Sequence, residues 1–174
     1  EAPSEPQHVD VISQLIQCLE AWDTQYITTN EQEALDAQHA LVMSAGSPAR
    51  FYLIEIDDNG ETQAGTTYHN DHPDIFLDGM DFWDAQSGIA YGDPLEGGHL
   101  ILTTSDHGNT WIRLPVDVLP DSLTPEAGFA ASGTGIVCLG DSTAIAGLGG
   151  KKARVLITRN RGKSWKAIET PVLH

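Results

Sequence analysis

The chain has 174 residues, 40% of them hydrophobic, enough apolar material for one buried core. Nine Lys and Arg stand against 25 Asp and Glu, a formal charge of −16. That balance argues against nucleic acid and anionic membrane surfaces as partners, since both select basic patches. No apolar stretch approaches the ~20 residues of a membrane span, and the two cysteines, Cys18 and Cys138, imply neither a disulfide framework nor a CxxC metal site.

The opening run Glu1-Ala2-Pro3-Ser4-Glu5-Pro6 reads as an unstructured lead. It suits either an exported protein after signal cleavage or a piece of a longer one, and the expected location is extracytoplasmic, periplasmic or secreted. Val9, Ile12, Leu15, Ile16, Leu19 and Trp22 then follow i, i+3, i+4 spacing, which predicts a short amphipathic helix over 9–24, with a displaced outer or inner strand as the alternative. Residues 1–38 are therefore set apart as an N-terminal extension, with 39–174 as the main body.

From Ala40 onward the pattern is β. A first, incomplete group of strands is predicted near 40–45, 50–56 and 62–67. A second falls near 79–83, 88–92, 99–104 and 110–114, and a third near 134–139, 143–148, 153–158 and 164–168. Gly and Pro punctuate the intervals, and Pro115, Pro120 and Pro125 mark a linker between the second and third groups.

Two of these groups share a motif. Thr104-Ser105-Asp106-His107-Gly108-Asn109-Thr110-Trp111 and Thr158-Arg159-Asn160-Arg161-Gly162-Lys163-Ser164-Trp165 both read [ST]-x-[DN]-x-G-x-[ST]-W, each after an apolar run. A degraded copy surrounds Asp58 and Gly60. The spacings Asp58 to Asp106 and Asp106 to Asn160 are 48 and 54 residues, a period that marks propellers and solenoids. The motif describes a tight turn: Gly takes φ > 0, Asp or Asn accepts local hydrogen bonds, and Trp starts the returning strand with a large face to bury. Asp106 and Asn160 are thereby occupied in holding the turn.

These segments resemble the Asp-box, or BNR repeat, of sialidase-like β-propellers. The order Phe82-Trp83-Asp84, Gly88-Ile89-Ala90-Tyr91-Gly92-Asp93-Pro94, then Glu126-Ala127-Gly128-Phe129-Ala130-Ala131-Ser132-Gly133-Thr134 resembles more narrowly the bacterial photosystem II stability/assembly-factor-like propellers. The resemblance runs from about Leu35 to the C-terminus. It implies an all-β fold, a partial β-propeller of about three four-stranded antiparallel blades. A closed ring needs about four to eight blades, so the expectation is a piece of a longer propeller, with self-association through exposed blade edges as the alternative.

Candidate chemistry is thin. His69, Asp71 and His72, with Asp74, Asp78 and Asp81 nearby, form the densest run of metal-ligand types, but they lack HExxH spacing and read as well as a polar connection between blades. His99 and His107 read as strand-edge and turn-surface residues. A sialidase would need an arginine triad, and Arg50, Arg113, Arg154, Arg159 and Arg161 show no diagnostic arrangement. By the resemblance, Asp93 and Glu126 are the best candidates for a glycosidase carboxylate pair, although Asp93-Pro94 also suits a turn and Glu126 a strand start. The Gly-rich runs at 132–135 and 147–152 lack the context of a phosphate loop, and no GxSxG elbow occurs. The reading is a non-catalytic binding or scaffolding module for a protein or glycan, with no cofactor and no assigned catalytic or metal residue; the alternative is a sialidase-like glycoside hydrolase.

Overall fold

A computed structural model describes residues 29–130 and 133–171, with the backbone alone for 29–32. The helix expected over 9–24, and Cys18, lie outside the described residues. Strands β1 (Thr29–Ala34), β2 (His39–Ser44), β3 (Ala49–Ile56) and β4 (Thr62–Asn70) form a first antiparallel sheet in chain order. A second sheet follows in the same up-and-down order: β5 (Leu77–Phe82), β6 (Gly88–Leu95), β7 (Gly98–Thr104) and β8 (Ile112–Arg113). After β9 (Glu126–Ala127) come β10 (Ile136–Leu139), β11 (Thr143–Gly150), β12 (Arg154–Thr158) and β13 (Lys166–Glu169), which make the third sheet, with β9 added to β11.

The predicted strand groups are all present, and the first has four strands rather than three. Its extra strand, β1, lies within the stretch set apart as an extension. The sequence Thr-Asn-Glu-Gln-Glu-Ala has no apolar alternation, so only its backbone ladder to β2 reveals it. The single helical turn among the described residues is a short 3-10 segment at Val116–Val118.

Burial follows from the period of two along each strand. Leu41, Met43, Phe51 and Leu53 from the first sheet meet Leu77, Met80, Ala90, Leu100 and Leu102 from the second. The alternate residues of the second sheet, Ile89, Tyr91 and Ile101, meet Ile136, Ala144, Ala146, Leu148 and Leu156 of the third. The middle sheet is thus buried on both faces, which is why Leu100-Ile101-Leu102 runs without a polar break. Each motif Trp plugs one of these joints. Trp111 lies edge-on to Phe51, ring centroids 4.5 Å apart, at the first joint, and Trp165, 7% exposed, belongs to the second.

Hydrogen bonds tie the sheets as well. Leu77 N donates to Ala45 O at 2.9 Å across the first joint. Across the second, Trp83 Nε1 donates to Thr143 O at 2.7 Å and Cys138 N to Asp81 Oδ2 at 2.6 Å. The β6–β7 hairpin turns on Glu96 and Gly97 with φ of 55° and 83°, the paired positive values of a type I′ turn.

Candidate functional site

The two motif turns are built alike. Thr104 Oγ1 donates to Asp106 Oδ1 at 2.8 Å and accepts from Gly108 N at 3.1 Å; Thr158 Oγ1 does the same with Asn160 Oδ1 and Gly162 N at 3.0 Å each. Asp106 Oδ1 accepts from Thr110 N at 2.9 Å, as Asn160 Oδ1 does from Ser164 N at 3.0 Å. Trp111 and Trp165 each donate their indole N–H to the motif Gly carbonyl at 3.1 Å. Burial works to raise the Asp106 carboxyl, but bonds from the Thr110 hydroxyl and amide and the Thr104 hydroxyl outweigh it and hold the group below its ordinary value. In the degraded upstream turn the holding carboxylate is Asp57, not Asp58. Asp57 Oδ1 accepts from Asn59 N and Glu61 N at 2.9 and 2.8 Å, while Asp58 instead accepts from Gln38 Nε2 at 3.0 Å. Gly60 keeps the expected positive φ of 80°.

Asp93 and Glu126 do not form a catalytic pair on an open surface. Both hold the linker that carries β9. Asp93 Oδ1 accepts from Gly128 N at 2.9 Å. The Glu126 side chain, 1% exposed, is gripped by Arg154 through two 2.7 Å bonds and accepts from Leu123 N at 3.0 Å. Arg154 is the partner that the sequence did not pair with it. His99 packs against the same carboxylate, Nε2 at 3.7 Å from Glu126 Oε2, and is 1% exposed rather than at a strand edge. Burial lowers its pKa; Glu126 and the Asp121 backbone act the other way, and Arg154 acts with burial.

The arginines expected of a sialidase triad are largely engaged. Beside Arg154, Arg113 pairs with Glu96 at 2.7 Å, and Arg161 pairs with Asp84 at 2.8 Å while lying over the Trp83 ring. The Cys138 thiol is pushed up by burial and by the neighbouring Asp81 carboxylate, which leaves it a poor nucleophile.

His69, Asp71 and His72 are not brought together as a ligand set: His72 Nδ1 accepts from Asp74 N at 3.2 Å, and the Asp71 carbonyl accepts from Ser47 Oγ at 3.4 Å. Among the described residues the ligand-type cluster is instead Asp36, His39 and His107, whose ligand atoms all lie within 4.8 Å of one another. It spans the first joint, from the β1–β2 turn to the β7–β8 turn. A signal was present in the sequence, since His107 occupies the variable position of the motif where Arg161 stands in the other copy.

Charge is segregated along the fold. Seven of the nine Lys and Arg lie between Lys151 and Lys166, a stretch without a single Asp or Glu. On the third sheet a groove of about 270 Å³ is lined by Ile157, Arg159, Asn160, Ser164 and Lys166. A second groove, of about 140 Å³, opens beside His39 and is lined by Gln38, Glu55, Asp57, Glu61 and Gln63. Neither includes Asp93 or Glu126.

No protein-family model matches the chain, and no curated protein matches it. Among solved structures, that of YCF48 bound to D1 peptide is similar, with a TM-score of 0.54 and 22% sequence identity over 81% of this chain. The match spans 40% of the length of the YCF48 chain. The likeness is one of fold, and together with the three antiparallel sheets it makes the described structure a partial β-propeller.

Proposed function

We propose that the chain is a non-catalytic, protein-binding β-propeller module of the Asp-box type, akin to photosystem II assembly-factor propellers, that holds an acidic peptide segment on its third sheet. The observation that carries this reading is the groove between Arg159 and Lys166. It offers two exposed cations and the apolar Ile157 in a chain whose overall charge is −16. Such a groove suits an extended segment that sets carboxylates on the cations and one aliphatic side chain on Ile157. The fold-level likeness to YCF48, which in its solved structure is bound to D1 peptide, supports peptide binding as the mode. The engagement of Glu126 with Arg154 and of Asp93 with Gly128 supports the non-catalytic reading.

The test is fluorescence anisotropy with labelled peptides that combine Asp or Glu with one Leu. Binding is expected to weaken as salt rises, and Arg159→Ala/Lys166→Ala is expected to weaken it at least about tenfold. A sialoside of equal charge should fail to compete. Peptide affinity indifferent to both substitutions would sink the reading.

A further inference from the structure

The geometry points to a divalent transition-metal site, of the type that takes Zn²⁺, formed by Asp36, His39 and His107 across the joint between the first and second sheets. The argument starts from the repeat. At the second joint, Asp84 accepts from Gln86 N and Ser87 N at 2.9 and 2.8 Å, and Arg161 of the next sheet's motif turn places its guanidinium on the same carboxylate. At the first joint, Asp36 accepts from Gln38 N and His39 N at 2.8 and 2.9 Å in the same i+2, i+3 pattern. The residue reaching back to it is His107, which holds the motif position of Arg161, with φ 65° against 53°. A fixed positive charge at one joint is thus replaced at the other by two imidazoles around an equivalent carboxylate.

Those imidazoles are placed as ligands. His39 Nδ1 is 2.8 Å from Asp36 Oδ1, and His107 Nε2 is 3.5 Å from Asp36 Oδ2. The rings meet edge to face with centroids 4.6 Å apart. Two tetrahedral ligands each about 2.1 Å from one zinc ion stand roughly 3.4 Å apart, so closing the three atoms on one ion takes movements on the order of 1 Å. His107 Nε2 is buried and without a hydrogen-bond partner among the described residues. Gln86 Nε2 stands 3.4 Å from His107 Nδ1; turning that amide end for end puts its oxygen there instead, to accept the Nδ1 proton and leave Nε2 the lone pair. The groove that His39 lines is flanked by Glu55, Asp57 and Glu61, which set negative charge beside the site. An imidazole pair with one carboxylate selects zinc or its neighbours over calcium or magnesium, which prefer oxygen. A bound ion would restore at the first joint the bridging charge that Arg161 supplies at the second.

The test uses the tag-free 174-residue chain, with Zn²⁺ titrated calorimetrically and Co²⁺ as a spectroscopic stand-in. One ion per chain is expected, with visible Co²⁺ absorption of a site containing nitrogen ligands, and Zn²⁺ is expected to shift the imidazole NMR signals of His39 and His107. His107→Asn, which keeps a residue tolerant of positive φ, and His39→Ala should each weaken binding at least about tenfold. His69→Ala/His72→Ala should bind as the parent does. The proposal is overturned if the folded parent takes up no Zn²⁺, if binding survives His39→Ala/His107→Asn, or if it is lost with His69 and His72. Imidazole signals of His39 and His107 that do not move with Zn²⁺ would equally overturn it.

Discussion

Asp106 and Asn160 do one job with different chemistry. Asp106 Oδ2 accepts from the Thr110 hydroxyl at 2.6 Å, whereas Asn160 Nδ2 donates to the Ser164 hydroxyl at 2.9 Å, since a hydroxyl turns to suit either. Asp106→Asn is therefore expected to cost under about 1 kcal/mol, and Asp106→Ala, which strands the Thr110 amide and hydroxyl, about 2–3 kcal/mol in urea unfolding. The acid dependence follows from the sign of the shift. A carboxyl held below its ordinary 3.8 in the folded state stabilises fully above that value and loses the contribution as pH falls through the folded pKa. Asp106→Asn should flatten that limb of the stability profile. The Asp57 substitution for Asp58 shows what the sequence alone misplaces at this scale. Gly60 marks the turn, but which of two adjacent carboxylates folds back on it depends on backbone direction, and composition carries no trace of that.

Among the elements, the linker from the second to the third sheet was the least legible. Its short strand β9 was not foretold, and its anchors are polar pairs between residues far apart in sequence: Gly128 N on Asp93 and Arg154 on Glu126. No periodicity announces such pairs, so Glu126 read as a candidate catalyst when it is one half of a buried clamp. Arg154→Met leaves that carboxylate buried without its cation and is expected to cost about 3–5 kcal/mol in urea unfolding. His99, inside the same clamp, supplies a pH signature. Because its folded pKa lies below the ordinary 6.5, the unfolded chain binds the proton first. Stability is then full above about pH 6.5 and falls as pH drops toward the folded value. Urea midpoints taken at about pH 7.5 and pH 5 should diverge in the parent and converge in His99→Leu, and an unchanged slope would count against the burial of His99 as its cause.

On the scale of the whole molecule, the period of about 50 residues was the most legible feature, because each sheet keeps the Gly turn, and the second and third each add a Trp that fills the joint with the sheet before it. Charge segregation was also written in the sequence, in the run from Lys151 to Lys166, yet a net charge of −16 averages it away. The polar strand β1 was hidden for the opposite reason, having no apolar face to signal itself. The burial of the middle sheet on both sides has a consequence for how the molecule opens. Among the described residues, its central strands reach solvent only when both joints part, whereas the first or third sheet is released by parting the one joint described for it. Amide hydrogen exchange should therefore be slowest at Ala90 and Ile101, with the third sheet exchanging through a separate, less costly opening. A chain of like units would in this way open from its flanks inward, with the middle sheet as the last shelter.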